Sequence, residues 1–402
     1  MANALITPTA VLRKSLAVLH QKANFLSTIN RSYDDQFAKS GGKIGATLNV
    51  RQPNQFVVRN GANLSLQDTT ESITPITISA QKGVDMYFTT ADLTLSLDDF
   101  AERIIEPAVA VLVANVEADA LSMYQSVWNQ VNNLGAAISF NKILQARKFL
   151  NDNLCPQDNN RSVLLCTQDN VDLVDQLKGL FQDSASIAKQ YADGMMGKSA
   201  GFNFYENTLL PPKFTSGTDN SAYLITGAGQ TGSGNPVTAG MNLNVKTGTG
   251  TFAVGDVITI AGVYQVHPET KMSTGNLQNF VVAANYAGGP GSLAISPGIV
   301  TSGAYQNVTA APADSAAITK VGAGGQQYGM SLAYHRDAFA FATCDLVMPK
   351  GVDFAAQENF DGVSLRIVRA YDINTDRFPC RLDIMYGYKA LRPQLAARLA
   401  NN

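Results

Sequence analysis

The feature that most constrains this chain is an apolar stripe of helical period. Ile105, Val109, Leu112, Val116, Ala120, Met123, Val127 and Val131 follow one another at spacings of four, three, four, four, three, four and four residues. That is the 3.6-residue period of one helix face, held for about seven turns. It predicts a spine helix over residues 97–132, capped by Ser96, with Asp98 and Asp99 at the positive end of the helix dipole. Such a helix would be a rod of about 54 Å, when ordinary helices run to about 12 residues. Pro107 predicts a kink, or a short first helix followed by a longer one.

Ahead of the spine, Leu12, Leu16, Leu19 and Ala23 form the stripe of a short amphipathic helix. Thr7 caps it, Pro8 suits its first position, and it runs out toward Ser40-Gly41-Gly42. Strand-like alternation follows over residues 47–51 and 55–59, and again over 73–80 and 82–89, on either side of a polar stretch at 62–71. The pattern predicts a long hairpin. A two-stranded hairpin is marginal alone, so an arm of this kind must lie across another surface. Self-association is the physical expectation.

Behind the spine, helix and strand alternate. Residues 142–154 carry Ile143, Ala146, Phe149 and Leu150 on one helix face, and 162–166 is an apolar strand. A helix over 168–180 is expected to turn Val171, Val174 and Leu177 inward, and a strand at 202–205 leads into Leu210-Pro211-Pro212. This is an α+β or α/β body. Composition then shifts: residues 216–329 hold 20 of the 33 glycines but only 7 charged residues. Short strands at 223–226, 241–246, 257–261, 280–284 and 293–296 recur between turn signals, which predicts a small all-β barrel or sandwich. Strand signals of the body return from Ser331, cleanly at 364–372 and 381–388. The economical account is one body, residues 136–215 plus 330 onward, with a β unit inserted in it.

The totals narrow the function. Of 402 residues, 45% are hydrophobic and 15% charged, the balance of a folded chain. A net charge of −2 gives no global signal for nucleic acid or anionic membrane. No apolar run reaches the ~18 residues of a membrane helix, and Met1-Ala2-Asn3-Ala4-Leu5-Ile6 predicts no secretory leader. Cys155, Cys166, Cys344 and Cys380 fit no zinc spacing and read as reduced thiols, and only His20, His267 and His335 could serve as general bases.

Each apparent motif has a plainer explanation. Gly227-Ala228-Gly229-Gln230-Thr231-Gly232 matches the dinucleotide fingerprint, but Ser233-Gly234-Asn235-Pro236 cannot open the helix that a pyrophosphate requires. His335-Arg336-Asp337 lacks the asparagine of a kinase loop, since Ala342 stands there. Asp98, Asp99 and Glu102 are explained by a helix start. Asn30, Asn63 and Asn307 open glycosylation-like triplets without a secretory context. No catalytic, cofactor-binding or metal-binding residue is therefore assigned, no cofactor is expected, and the chain is read as a non-enzyme.

The order of parts resembles the major capsid proteins of tailed phages, with the Hong Kong ninety-seven-type shell fold. The stretches that carry the resemblance are residues 95–121 with Ala114-Asn115-Val116-Glu117, residues 254–263 from Val254-Gly255-Asp256-Val257 onward, and Cys380-Arg381-Leu382 with Tyr386-Gly387 and Leu391-Arg392-Pro393. They are most similar to the short-tailed-phage coat proteins that carry an inserted β-barrel. The resemblance implies an α+β shell fold with an N-terminal arm (1–42), an E-loop hairpin (43–95), a spine helix of the peripheral domain (96–135) and an axial domain (136–215 and 330–363). The inserted barrel would be 216–329, and 364–402 would supply peripheral strands. It further implies pentamers and hexamers of an icosahedral virion capsid, assembled in the host cytoplasm with a scaffolding protein and a portal, enclosing double-stranded DNA without sequence-specific binding. Relatives make charged contacts between capsomers through loops of the insertion, but residues 227–236 here carry no charge, so such stitching is not expected of them. The rival readings are a nanocompartment shell of the same fold and, from another class, a β-rich surface or glycan-binding protein. The latter would want more aromatic platforms than the single tryptophan, Trp128, provides.

Overall fold

The apolar stripe makes a helix only as far as Leu121. In the computed structural model, which describes residues 23–31, 47–64, 66–67, 71–89, 106–177, 197–210, 214–352, 354–360 and 363–401, the spine helix covers Glu106–Leu121, and Pro107 is its second described residue. Ser122–Ser126 then tightens into a 3-10 turn and Gln130–Asn132 is a strand. Val127 and Val131 are buried as the stripe requires, but Val127 lies in irregular chain after the turn and Val131 in the strand, so the expected continuation to residue 132 is corrected. The reason is tertiary: Asn129 Nδ2 donates to the main-chain oxygens of Gln394 and Ala396, which draws the backbone into a sheet. The expected caps at Ser96, Asp98 and Asp99, with Glu102 and the helix capped at Thr7, lie outside the described residues.

The described chain divides into two compact units. The first comprises residues 1–49, 75–121 and 339–389. Its frame is a five-stranded sheet in the order Phe339–Thr343, Arg377–Ala390, Val363–Arg369, Phe354–Phe360, with Ala80–Thr89 also paired to Arg377–Ala390. That last pairing corrects the hairpin. Residues 80–89 run antiparallel to Arg377–Ala390 from Thr89↔Arg377 to Ala80↔Tyr386, instead of returning along the first strand. The spine helix buries Val109, Leu112, Val113, Val116, Ala120 and Leu121. At its end Asp119 receives Lys82 Nζ (2.6 Å) and Tyr386 Oη (2.5 Å), tying the helix to two strands of the sheet. Glu117, fully buried, accepts the main-chain N–H of Phe25 (2.6 Å) in the short helix Asn24–Thr28.

Thr47–Arg51 pairs with Ile73–Thr77 in a separate two-stranded sheet. Residues 55–59, expected as a strand, are irregular. The Gln67 side chain does the work of a partner strand there: its Nε2 donates to Val57 O (2.6 Å) and its Oε1 accepts Val57 N–H (2.8 Å).

The second unit comprises residues 50–74, 122–338 and 390–402. A seven-stranded mixed sheet runs Gln130–Asn132, Ala396–Asn401, Gln327–His335, Arg161–Leu165, Phe202–Glu206, Lys198–Ser199, with Phe214–Thr215 beside Gln327–His335. The helix Phe140–Asp152 buries Ile143, Ala146 and Leu150, as its period predicts. The helix Thr167–Leu177 does not follow its apolar residues: Val171 is exposed while Asp169 and Leu173 are buried. Asp169 decides the rotation, because its carboxylate accepts Ser331 Oγ and Asn401 Nδ2 from two strands of the sheet.

The inserted region is a closed antiparallel barrel. Six strands follow the order Ile318–Lys320, Val257–Val266, Ser273–Val282, Gly291–Ser296, Met241–Lys246, Leu224–Ile225. The ends meet where Ile225 N–H donates to Ala316 O and Ile318 N–H to Tyr223 O, each at 3.0 Å. Closure leaves no long free edge, which suits a region so poor in charge. Inside, Ile225, Leu243, Ile258, Phe280, Leu293 and Ile318 form one apolar core, with Tyr223, Phe252 and Tyr286 clustered at its end.

Candidate functional site

Only a handful of charges stand in the barrel, and four of them form two pairs. Lys320 Nζ donates to Asp256 Oδ2 (2.8 Å) and to Gly217 O (2.8 Å), and lies over the Phe252 ring. The same Asp256 oxygen accepts the main-chain N–H groups of Gly217 (3.0 Å) and Ala253 (2.8 Å). Gly217 is where the chain enters the barrel and Lys320 ends its last strand, so one carboxylate fastens entry to exit. The neighbouring Gly255, at φ +92°, turns its carbonyl toward the body, where Arg398 Nη2 donates to it (2.7 Å). A Cβ at this position would crowd Phe214 and Gln125 at 3.2–3.3 Å, so glycine suits both the turn and the space. Arg398 is fully buried on Ala396–Asn401, and burial draws its guanidinium down to about 10. The motif Val254-Gly255-Asp256-Val257 is thus the joint between barrel and sheet.

The second pair, half-buried Lys246 and exposed Asp314 (2.8 Å), braces the glycine-rich turn. The Lys246 ammonium, with the N–H of Gly227, holds the Asp314 carboxyl at about 2. Gly227 and Gly229 both have positive φ, and no helix follows them, in keeping with a turn rather than a phosphate site. His335 is buried. Its Nε2 lies 3.1 Å from Asp158 Oδ1, and its Nδ1 accepts the Asp337 N–H, an arrangement that fixes a loop and presents no nucleophile. Cys155, Cys166, Cys344 and Cys380 are free and buried, and desolvation raises the Cys155, Cys166 and Cys380 thiols to about 11. Among the described residues no group of three His, Cys, Asp or Glu side chains could hold a metal, and no helix is long and apolar enough to cross a membrane.

The sequence reading missed the Asp256–Lys320–Arg398 joint. Its one local signal was the rarity of charge in the region: an unexplained Asp and Lys in an apolar, glycine-rich stretch have to find each other or water.

What the fold does present is surface. In the loop at 53–67, Val58, Leu64 and Leu66 are 83%, 77% and 86% exposed, and Phe56 lies beside them, also exposed. The described residues thus combine an α+β body, a built-in barrel and a loop that exposes apolar side chains. The model of the P22 coat protein family (P22 coat protein, gene protein 5) matches residues 33–398, and the chain belongs to that family of phage capsid proteins. Solved structures similar to it include one of Mycobacterium phage Che8 (12% identity, 94% of this chain and 91% of that chain, TM-score 0.48) and the mature capsid of bacteriophage PhiM1 (10% identity, 92% and 84%, TM-score 0.44). The I-domain of the CUS-3 coat protein is 28% identical over 25% of this chain and 96% of its own, with a TM-score of 0.18. No curated protein sequence matches the chain.

Proposed function

We propose that the chain assembles as pentamers and hexamers into an icosahedral shell that encloses double-stranded DNA, with a scaffolding protein and a portal as partners. Assembly would take place in the host cytoplasm and the product would be the virion capsid. The observation that carries the reading is the loop at 53–67: apolar side chains stand exposed on a segment whose internal ties, among the described residues, are polar ones through Gln67 and Arg59. Exposed apolar clusters of this kind mark surfaces that a partner covers. Within the shell, residues 43–95 act as the E-loop arm, 96–135 as the spine region, and the barrel as a stabilising or contact-forming module, without catalysis. Electron microscopy of the purified chain mixed with scaffold tests this. Closed shells are expected, and compact monomers alone at high concentration would refute it.

A further inference from the structure

Beside the joint, within the second unit, a groove runs between barrel turns and the body. It consists of two adjoining cavities of about 210 and 320 Å³, which share Gln55, Asn153, Leu154, Asn235, Val237 and Gln394 as lining. That is the size range of small-ligand sites. Its chemistry is unusual for this protein: no carboxylate lines it, and the single charge is Arg392 at one end. Carboxamides take the place of charges.

These amides divide into two sets. Asn153, Asn235 and Asn307 are committed to the fold. Asn153 Nδ2 donates to Phe149 O, Asn235 Nδ2 to Ser72 Oγ, and Asn307 Nδ2 to Gly298 O while its Oδ1 accepts Val300 N–H. They make the wall rigid. Gln278 and Gln306 are anchored only through Nε2, to Asn279 O and Val308 O, and Gln265 through a long contact to Asn153. Among the described residues nothing donates to the Oε1 of any of these three, and Gln394 Oε1 is buried with no partner. Three carbonyl acceptors without a donor, those of Gln265, Gln278 and Gln306, therefore sit on residues that line one groove, while that of Gln394 is enclosed. Pro236, Pro268 and Pro297 give it stiff C–H walls, Tyr305 contributes aromatic surface, and Trp128, almost wholly buried, also lines it.

The complement of such a surface is uncharged, rich in hydroxyl donors and partly apolar on its C–H faces. An extended peptide fits less well, because its main chain would want a free strand edge, and the groove is bounded by turns and side chains. We propose that this groove binds a neutral oligosaccharide. The proposal is independent of whether the chain forms shells.

Trp128 is the only tryptophan in the chain, so its emission reports on the groove directly. The full chain is screened against an array of neutral and carboxylated glycans. The best neutral glycan is then titrated to millimolar concentration while Trp128 fluorescence is followed. A saturable change is expected, weakened at least tenfold in the Gln265→Ala/Gln306→Ala double variant and in Gln278→Ala, with thermal unfolding unchanged in at least one of the two. Silence toward every neutral glycan would overturn the proposal. So would binding that survives both variants, or a Trp128 response to extended peptides alone.

Discussion

Lys320 Nζ stands 2.8 Å from Asp256 Oδ2, with 1% and 0% of the two side chains exposed. Removing one partner of such a pair strands the other charge in the interior, at a cost of about 3–5 kcal/mol. Lys320→Met keeps the length of the side chain and leaves Asp256 with the N–H groups of Gly217 and Ala253 alone. Urea unfolding of the full chain should show a loss of about 3 kcal/mol or more. A loss below about 1 kcal/mol would mean that the pair is hydrated.

The barrel closes on itself through Tyr223–Ile225 and Ala316–Ile318 and holds its own apolar core. Residues 216–329 expressed alone should therefore unfold in one cooperative thermal transition with dispersed amide resonances. A collapsed spectrum would show that the body is needed to complete it.

Asp119 makes a pH-dependent contribution. Burial raises its pKa, but the hydrogen bonds from Lys82 and Tyr386 outweigh that and leave it below the usual carboxylate value. A depressed folded-state pKa gives stability that is present above the unfolded value and lost as the pH falls through the folded one. The melting temperature of Asp119→Asn should accordingly lie below the parent's at pH 7 and converge on it as the pH falls below about 4. An equal gap at both pH values would count against this assignment.

Leu64→Ser combined with Leu66→Ser separates folding from assembly. Both side chains are exposed in the subunit, so monomer melting should move by no more than the ~0.5 kcal/mol typical of surface changes. Shell yield by sedimentation should fall sharply. Normal yield would remove the loop from the assembly surface.

Gly83 faces the buried Asp383 across the sheet, and an added Cβ would stand 2.5 Å from its Oδ1 and 2.7 Å from Leu382 O. In an open strand Gly→Ala is stabilising; here the overlap should reverse the sign, by about 1–3 kcal/mol. Asp383 cannot swing aside without releasing Arg366 (2.6 Å) and Arg381 (2.8 Å). Thermal denaturation of Gly83→Ala gives the sign.

The parts legible in the sequence are those whose burial follows a local period. Met241–Lys246 was read to the residue because a barrel strand buries every second side chain. The spine was read too long because Val127 and Val131 are buried without being helical, and burial alone does not distinguish the two. Residues 55–59 alternate but, among the described residues, pair with no strand. Val171 was assigned inward because apolar spacing was weighed without Asp169, whose partners Ser331 and Asn401 lie far along the chain. The joint was hidden for the same reason: Asp256, Lys320 and Arg398 meet only after the fold has formed.

Arg398 reaches the barrel from a strand that a ribosome makes after every barrel strand is complete. All six can emerge and close while Ala396–Asn401, flanked in the sheet by Gln130–Asn132 and Gln327–His335, has yet to appear. Domains generally fold as units during synthesis. A barrel that folds alone would then mature first, and the slot beside Gln327–His335 would be filled only once Ala396–Asn401 is made and Arg398 docks on Gly255. Translation order would thereby separate the folding of the barrel from its fixation, leaving the inserted region as a finished platform on which the rest of the subunit is built.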